Sequence, residues 1–434
     1  MRSNSICSFV LLLPSLMLLL SCGGGSSPAA APTPPPTPTL QSTIQHVVII
    51  VQENRSFDDM FSGFPGADAA TTGMNNGKVV TLSPRPLEDP NDVDHTHRGW
   101  WKDWDGGKND NFGWKPTYPS PNFPYAYVPR DESQPYWTLA STYTLADRMF
   151  QSNTGPSFVA HQYIIAGQSN EADNNPNSTN NAWGCDSPTG TTVTLIGPNG
   201  TDLPGPFPCF DYQTMGDLLD ASKVSWKYYA PSAISGDGGY IWSAFDAIKH
   251  IRFGPDWAGD VISPETQVLT DIKSGTLAQV SWVVPSYANS DHPTSKSNSG
   301  PDWVASIVNE IGASQYWSNT VVFITWDDWG GWYDHVPPPQ IDNMGLGFRV
   351  PLIVVSPYAK QGYISHQQHE FGSFLAFLEL RYSLPSLKTR DAVSDNLMDC
   401  FDFSQTVQPY TPVPTTLTAD DFLHEVNTGP PDDD

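Results

Sequence analysis

Four short apolar runs, at residues 46–51, 280–284, 321–325 and 350–355, constrain this chain more than any other feature in it. Long stretches with helical patterning separate them. They therefore read as buried strands of an α/β layer fold, a doubly wound, mostly parallel sheet flanked by helices. The helical candidates are the stretches after Ser56 and Ser157, together with 212–221, 302–312 and 371–381. Residues 92–143 are aromatic and irregular, and predict an Ω-like or lid-like insertion over a site. The aromatic side chains there either build a satellite core or line a pocket that would cradle a choline-like cation.

In open parallel sheets, ligands bind beyond the carboxyl ends of the strands. Three of the four runs meet acidic or metal-competent residues at that end. The first is followed by Gln52, Glu53 and Asn54, and the run ending in Trp326 by Asp327 and Asp328. The run at 280–284 leads shortly to Asp291 and His292, whereas the fourth ends in Ser356 and Pro357 and offers nothing comparable. Glu53, Asn54, Asp327 and Asp328 form an oxygen-rich set. Such hard ligands suit one divalent ion, Mg²⁺, Ca²⁺ or Mn²⁺, with Zn²⁺ and histidines as the alternative. Either pair alone reads better as a solvated strand end or a polar turn. Jointly, their like charges need compensation, which favours the metal.

Ser157 follows Gly155 and Pro156 and opens a stretch, 158–166, in which Val159, Tyr163 and Ala166 would share one helical face. At a helix N-terminus a serine hydroxyl and an incoming phosphate are both favoured by the dipole and by open N–H groups, although serine is also an ordinary helix cap. Three histidines have supporting context. His95 follows Asp92 and Asp94, His292 follows Asp291, and His335 follows Asp334 close to the aspartate pair. Near a phosphate, a histidine binds oxygens or protonates the leaving group.

The net charge of −25, with nothing basic clustered, argues against nucleic acid and leaves an anionic substrate needing a local cation. Forty-one prolines, 34 glycines and 15% charged residues describe a loop-heavy exported globule. Arg2, an apolar run over 9–20 too short to span a bilayer, and Leu19-Leu20-Ser21-Cys22 predict a lipoprotein signal peptide at 1–21. Acylation of Cys22 would anchor the chain to a bacterial membrane on its periplasmic or cell-surface side. Residues 22–43 read as a Pro/Ser/Gly-rich tether, and 44–434 as the catalytic domain. Cys185 and Cys209 are candidates for a disulfide, which leaves Cys400 over.

Glu53-Asn54-Arg55-Ser56-Phe57-Asp58 after a strand resembles the opening signature of the bacterial phosphoesterase family. That family holds the haemolytic and non-haemolytic phosphatidylcholine-preferring phospholipases C and related acid phosphatases. Further matches follow in order at 92–95 (DVDH), 104–112 (WDGGKNDNF), 145–150 (LADRMF), 155–157 (GPS), 224–229 (VSWKYY), 280–285 (VSWVVP), 291–293 (DHP) and 325–336 (TWDDWGGWYDHV). The resemblance spans 44–403. It implies an alkaline-phosphatase-like fold, with Glu53, Asn54, Asp327, Asp328 and the Ser157 hydroxyl holding the metal. It also implies His95 and His292 at the phosphoryl group, and assigns Asp291 and His335 to substrate. Serine rather than threonine at 157, and Asp-Asp rather than Asp-Glu at 327–328, lean toward the acid-phosphatase type, as does the lack of extra C-terminal domains.

The function expected is hydrolysis of phosphate esters, phospholipid among them, through a phosphoserine. A sulfatase is disfavoured because Ser157 does not open a Ser-x-Pro-x-Arg sequence, and a glycosidase would not call for Asn54 or the histidines. The alternative of another class is a non-catalytic surface lipoprotein that binds lipid or sugar through its aromatic loops. The sequence leaves the oligomeric state open.

Overall fold

The computed structural model describes residues 38–178, 182–232 and 238–426. The expected signal peptide and most of the tether lie outside them. Ahead of position 44, Thr39 caps a short helix, Leu40–Thr43, and Leu40 is buried.

Eight strands form the central sheet: β1 His46–Gln52, β2 Thr144–Ala146, β3 Trp226–Tyr229, β4 Val261–Ile262, β5 Val280–Val283, β6 Thr320–Trp326, β7 Leu352–Val355 and β8 Tyr363–Ser365. Their order is β4-β3-β5-β1-β6-β7-β2-β8. Pairing is parallel except on the two sides of β7. The sheet is thus mostly parallel and flanked by helices, as the apolar runs predict.

One of the four expected strands runs against the others. β7 pairs antiparallel with β6, Ile324 opposite Ile353. A parallel neighbour needs a crossover that returns the chain to the starting edge, normally a helix. Residues 327–351 contain no helix, so the chain turns back at once from the edge it has reached. This explains why Ser356 and Pro357 offer no chemistry: they leave the sheet at the opposite edge.

The helical candidates form with small shifts, as Phe57–Phe61, Ser157–Ala166, Met215–Ala221, Gly300–Ala313 and Phe371–Tyr382. The helix opened by Ser157 is not amphipathic, because all ten of its residues are buried. It packs against Phe371–Tyr382 on one side and Met215–Ala221 on another. The aromatic insertion is more ordered than expected. It carries helices His97–Trp104 and Gln134–Thr142, and Trp100, Phe112 and Tyr125 pack with Trp329, Tyr333 and Phe348 in a satellite core. Cys185 and Cys209 are bonded, and Cys400 is buried as a free thiol.

Candidate active site

Strand register creates the site. β1 and β6 pair in parallel with Val51 opposite Thr325 and Gln52 opposite Trp326. The next residues, Glu53-Asn54 and Asp327-Asp328, must therefore emerge side by side at one edge. Asp327 N donates to Gln52 O at 2.8 Å, and Asn54 N donates to Asp327 Oδ1 at 2.9 Å. β5 flanks β1 on its other side, and its following loop returns to the same place, where Glu53 N donates to Ser290 O at 2.8 Å. Asn54 adopts φ 60°, which turns its side chain back over the edge.

Ser157 joins this edge from its helix. Its Oγ lies 3.5 Å from Asn54 Oδ1 and 3.4 Å from Asp328 Oδ2. The hydroxyl does not cap the helix: Pro156 occupies that position, and Asn175 Oδ1 accepts from Phe158 N at 3.0 Å instead. Asn54 Nδ2 donates to His95 Nε2 at 3.2 Å, while His95 Nδ1, 2.7 Å from Val93 O, carries that ring's proton. The His95 and His292 rings meet edge to face at 6.4 Å, with Trp242 stacked on His292 and Thr294 Oγ1 at 3.0 Å from its Nδ1. Glu53, Asn54, His95, Ser157, His292, Asp327 and Asp328 are all buried. A cleft of about 210 Å³ lined by Thr96, Arg98, Pro156, Asn174, Asn175 and Asp202 opens beside the start of the Ser157 helix.

Two expected residues lie elsewhere. Asp291 turns its carboxylate away: Oδ2 accepts from Tyr136 Oη at 2.7 Å and Trp326 Nε1 at 3.1 Å, and its carbonyl accepts from Arg55 Nε at 2.9 Å. Burial pushes this carboxyl up to about 7, against the pull of Tyr136 and Arg55. Its place is behind the site, bracing the loop that presents His292. His335 belongs to a separate charge network, its Nδ1 2.6 Å from Asp58 Oδ2 and its Nε2 3.0 Å from Asp68 Oδ1. With both ring nitrogens held by carboxylates, it is not arranged to receive a substrate.

His161 is a residue that the sequence reading passed over. It stands one turn beyond Ser157, and its Nε2 is 3.0 Å from Glu53 Oε1 and 4.0 Å from Asp327 Oδ2. One ligand atom from each of Glu53, His161 and Asp327 falls within 4.8 Å of the others, a grouping able to hold a metal ion. The i, i+4 spacing from Ser157 was the available signal. The donor set fits a cation on a further count: Asp327 Oδ2 is buried and has no hydrogen-bond donor, a costly state for a carboxylate without a positive partner.

The buried Ser157 hydroxyl thus lies between the Asn54 amide and the Asp328 carboxylate, at the carboxyl edge of a mostly parallel sheet. Residues 44–385 match the model of the phosphoesterase family, and the chain belongs to that family. It is 27% identical to phospholipase C B of Mycobacterium tuberculosis, over 85% of this chain and 80% of that protein. It is 26% identical to the hemolytic phospholipase C of Pseudomonas aeruginosa, over 85% of this chain and 57% of the relative. The non-hemolytic phospholipase C of Burkholderia pseudomallei is 26% identical over 86% and 61%. The chain thus spans less than two thirds of the latter two relatives. Among solved structures, it is similar to an alkaline phosphatase superfamily protein from Vibrio parahaemolyticus, at TM-score 0.38 and 11% identity over 82% of this chain and 70% of that one. The chain is a hydrolase acting on phosphoric ester bonds. The non-catalytic alternative falls with that, and the aromatic rings it relied on are largely spent in the satellite cores.

Proposed function

We propose that the chain cleaves phosphate esters with Ser157 as nucleophile and one divalent cation as cofactor. The observation that carries the reading is the convergence of three distant segments, with Ser157 Oγ within 3.5 Å of both Asn54 and Asp328. Glu53, Asn54, Asp327, Asp328 and the Ser157 hydroxyl would hold the ion. Their oxygen atoms suit Mg²⁺, Ca²⁺ or Mn²⁺, and Zn²⁺ would be favoured if His161 also coordinated. When bound, such an ion lowers the pKa of a nearby hydroxyl and polarises a phosphoryl oxygen.

The chain's own groups supply the rest. Asp328 Oδ2 takes the Ser157 proton as Oγ attacks phosphorus in line, and the bond to the leaving alcohol breaks. Both His95 nitrogens are committed, to Val93 and to Asn54, so His95 acts through Asn54, which it orients, while His292 protonates the departing oxygen. Water then attacks the phosphoserine and gives a proton to His292, the Oγ–phosphorus bond breaks as Asp328 returns its proton to Ser157, and the phosphate is released.

The relatives named phospholipase C support a phospholipid diester as substrate, whereas the serine at 157 and the paired aspartates favour a phosphomonoester. Rates on p-nitrophenyl phosphate and on p-nitrophenyl phosphorylcholine, with Mg²⁺, Ca²⁺, Mn²⁺ or Zn²⁺ added back after chelation, test the reading. Release from either ester that depends on one of these ions is the expected result; full activity in excess chelator would refute the cofactor. We further propose export and anchoring through acylated Cys22, which a Cys22→Ser variant released from the membrane fraction would support.

A further inference from the structure

We propose that His161 is the positioning residue of this site: it holds the Glu53 carboxylate in the orientation a bound cation requires, from the same helix that carries Ser157. The inference rests on the metal-dependent reading above. His161 is 2% exposed, and its Nε2 lies 3.0 Å from Glu53 Oε1. An ionised carboxylate only accepts hydrogen bonds, so Nε2 must carry the proton between them. The 4.0 Å separation from Asp327 Oδ2 is too long for a hydrogen bond, so the ring braces Glu53 and not Asp327. Committing Oε1 to His161 fixes the plane of the carboxylate, as hydrogen bonds to ligating carboxylates do in metal sites.

The brace is rigid because its helix is. All ten residues from Ser157 to Ala166 are buried. The neighbouring Gln162 is tied down at both ends of its amide, Nε2 donating to Ala244 O at 2.9 Å and Oε1 accepting from Tyr212 Oη at 2.6 Å. Residues four apart share a helical face, so the nucleophile and the group that orients an anionic ligand are placed by one element. Any shift of this helix would move both together.

The test compares His161→Phe, which fills the space without a donor, with His161→Gln, which restores an N–H. Mn²⁺ affinity is read from the metal-induced shift in melting temperature of the full chain, and kcat and KM from p-nitrophenyl phosphate at saturating Mn²⁺. The Phe variant should bind Mn²⁺ about 10- to 100-fold more weakly with KM changed less than about twofold, and the Gln variant should recover to within about threefold of wild type. Unchanged affinity in the Phe variant, or a Gln variant as impaired as Phe, would overturn the proposal. So would a nitrogen signature in the spectrum of the Mn²⁺-loaded wild type that His161→Gln abolishes, since it would make His161 a ligand. Should the Phe variant fail to fold, His161→Leu, which also lacks a donor, takes its place with the same expected loss of Mn²⁺ affinity, and unchanged affinity there overturns the proposal in the same way. A wild type that binds no divalent ion would remove the metal reading itself, a failure visible without any variant.

Discussion

Ser157 stands first in its helix, yet its hydroxyl is not used to cap it, because Asn175 performs that task. This frees Oγ to face Asn54 and Asp328, a distinction that residue type alone does not reveal. His95 is legible in the sequence from its acidic neighbours and Asn54 from the strand end it follows, but the hydrogen bond between the two is not. Replacing His95 with Ala should lower kcat on p-nitrophenyl phosphate by about 10²-fold, the scale of losing a group that positions its neighbour. His335 gives a prediction of another kind. Burial alone would lower its pKa, but the Asp58 carboxylate on Nδ1 and the charge of Asp334 outweigh this and lift it to about 9. The folded value lies above the unfolded one of roughly 6.5. The protonated ring therefore stabilises the fold fully below that pH, and the benefit is lost as pH rises through about 9. Melting curves of wild type and His335→Gln should differ most in mildly acidic buffer and converge in alkaline buffer. A constant difference would show that His335 acts by packing alone.

At the scale of elements, the site was readable where regular register dictates position. A parallel pair aligned residue for residue brings Glu53 beside Asp327 with no further information, and the short runs announce that pair. What the sequence hid lies where the chain leaves regular structure. The reversal of β7 depends on the absence of a helix in 327–351, and the burial of the Ser157 helix depends on the helices around it. His161 is one histidine among ten, and only its position on that helix, four residues after Ser157, sets it apart. The turn after Asp328 shows how close the packing is. Gly330 has φ 61°, and a Cβ there would lie 2.1 Å from Asn54 O. Gly330→Ala should cost about 1–3 kcal/mol for the backbone conformation alone. It should also displace Asn54, so turnover should fall in variants still folded by circular dichroism. Wild-type turnover in a folded Gly330→Ala protein would separate this turn from the site.

For the whole molecule, a second buried charge cluster joins segments that the active site does not. Arg349 grips Asp334 with Nε and Nη2 at 2.9 and 3.0 Å and reaches the carbonyls of Asp68 and Asp147 through Nη1, all fully buried on the guanidinium side. It thereby ties the loop after β6 to the start of β7 and to the segment after β2. Arg349→Met would leave Asp334 buried without its guanidinium partner, Asp58 keeping His335, and should destabilise the fold by about 3–5 kcal/mol, read from the urea midpoint. A loss under 1 kcal/mol, within the range of about 0–1 kcal/mol for exposed pairs, would mean the network is not the clasp described here. The central claim is narrower than the fold and concerns one hydroxyl. The kcat of Ser157→Ala on p-nitrophenyl phosphate, at saturating metal and with an unchanged circular dichroism spectrum, tests it most directly. A fall of roughly three orders of magnitude, about 4 kcal/mol of barrier, is predicted; a variant that keeps turnover within about tenfold of wild type would contradict it.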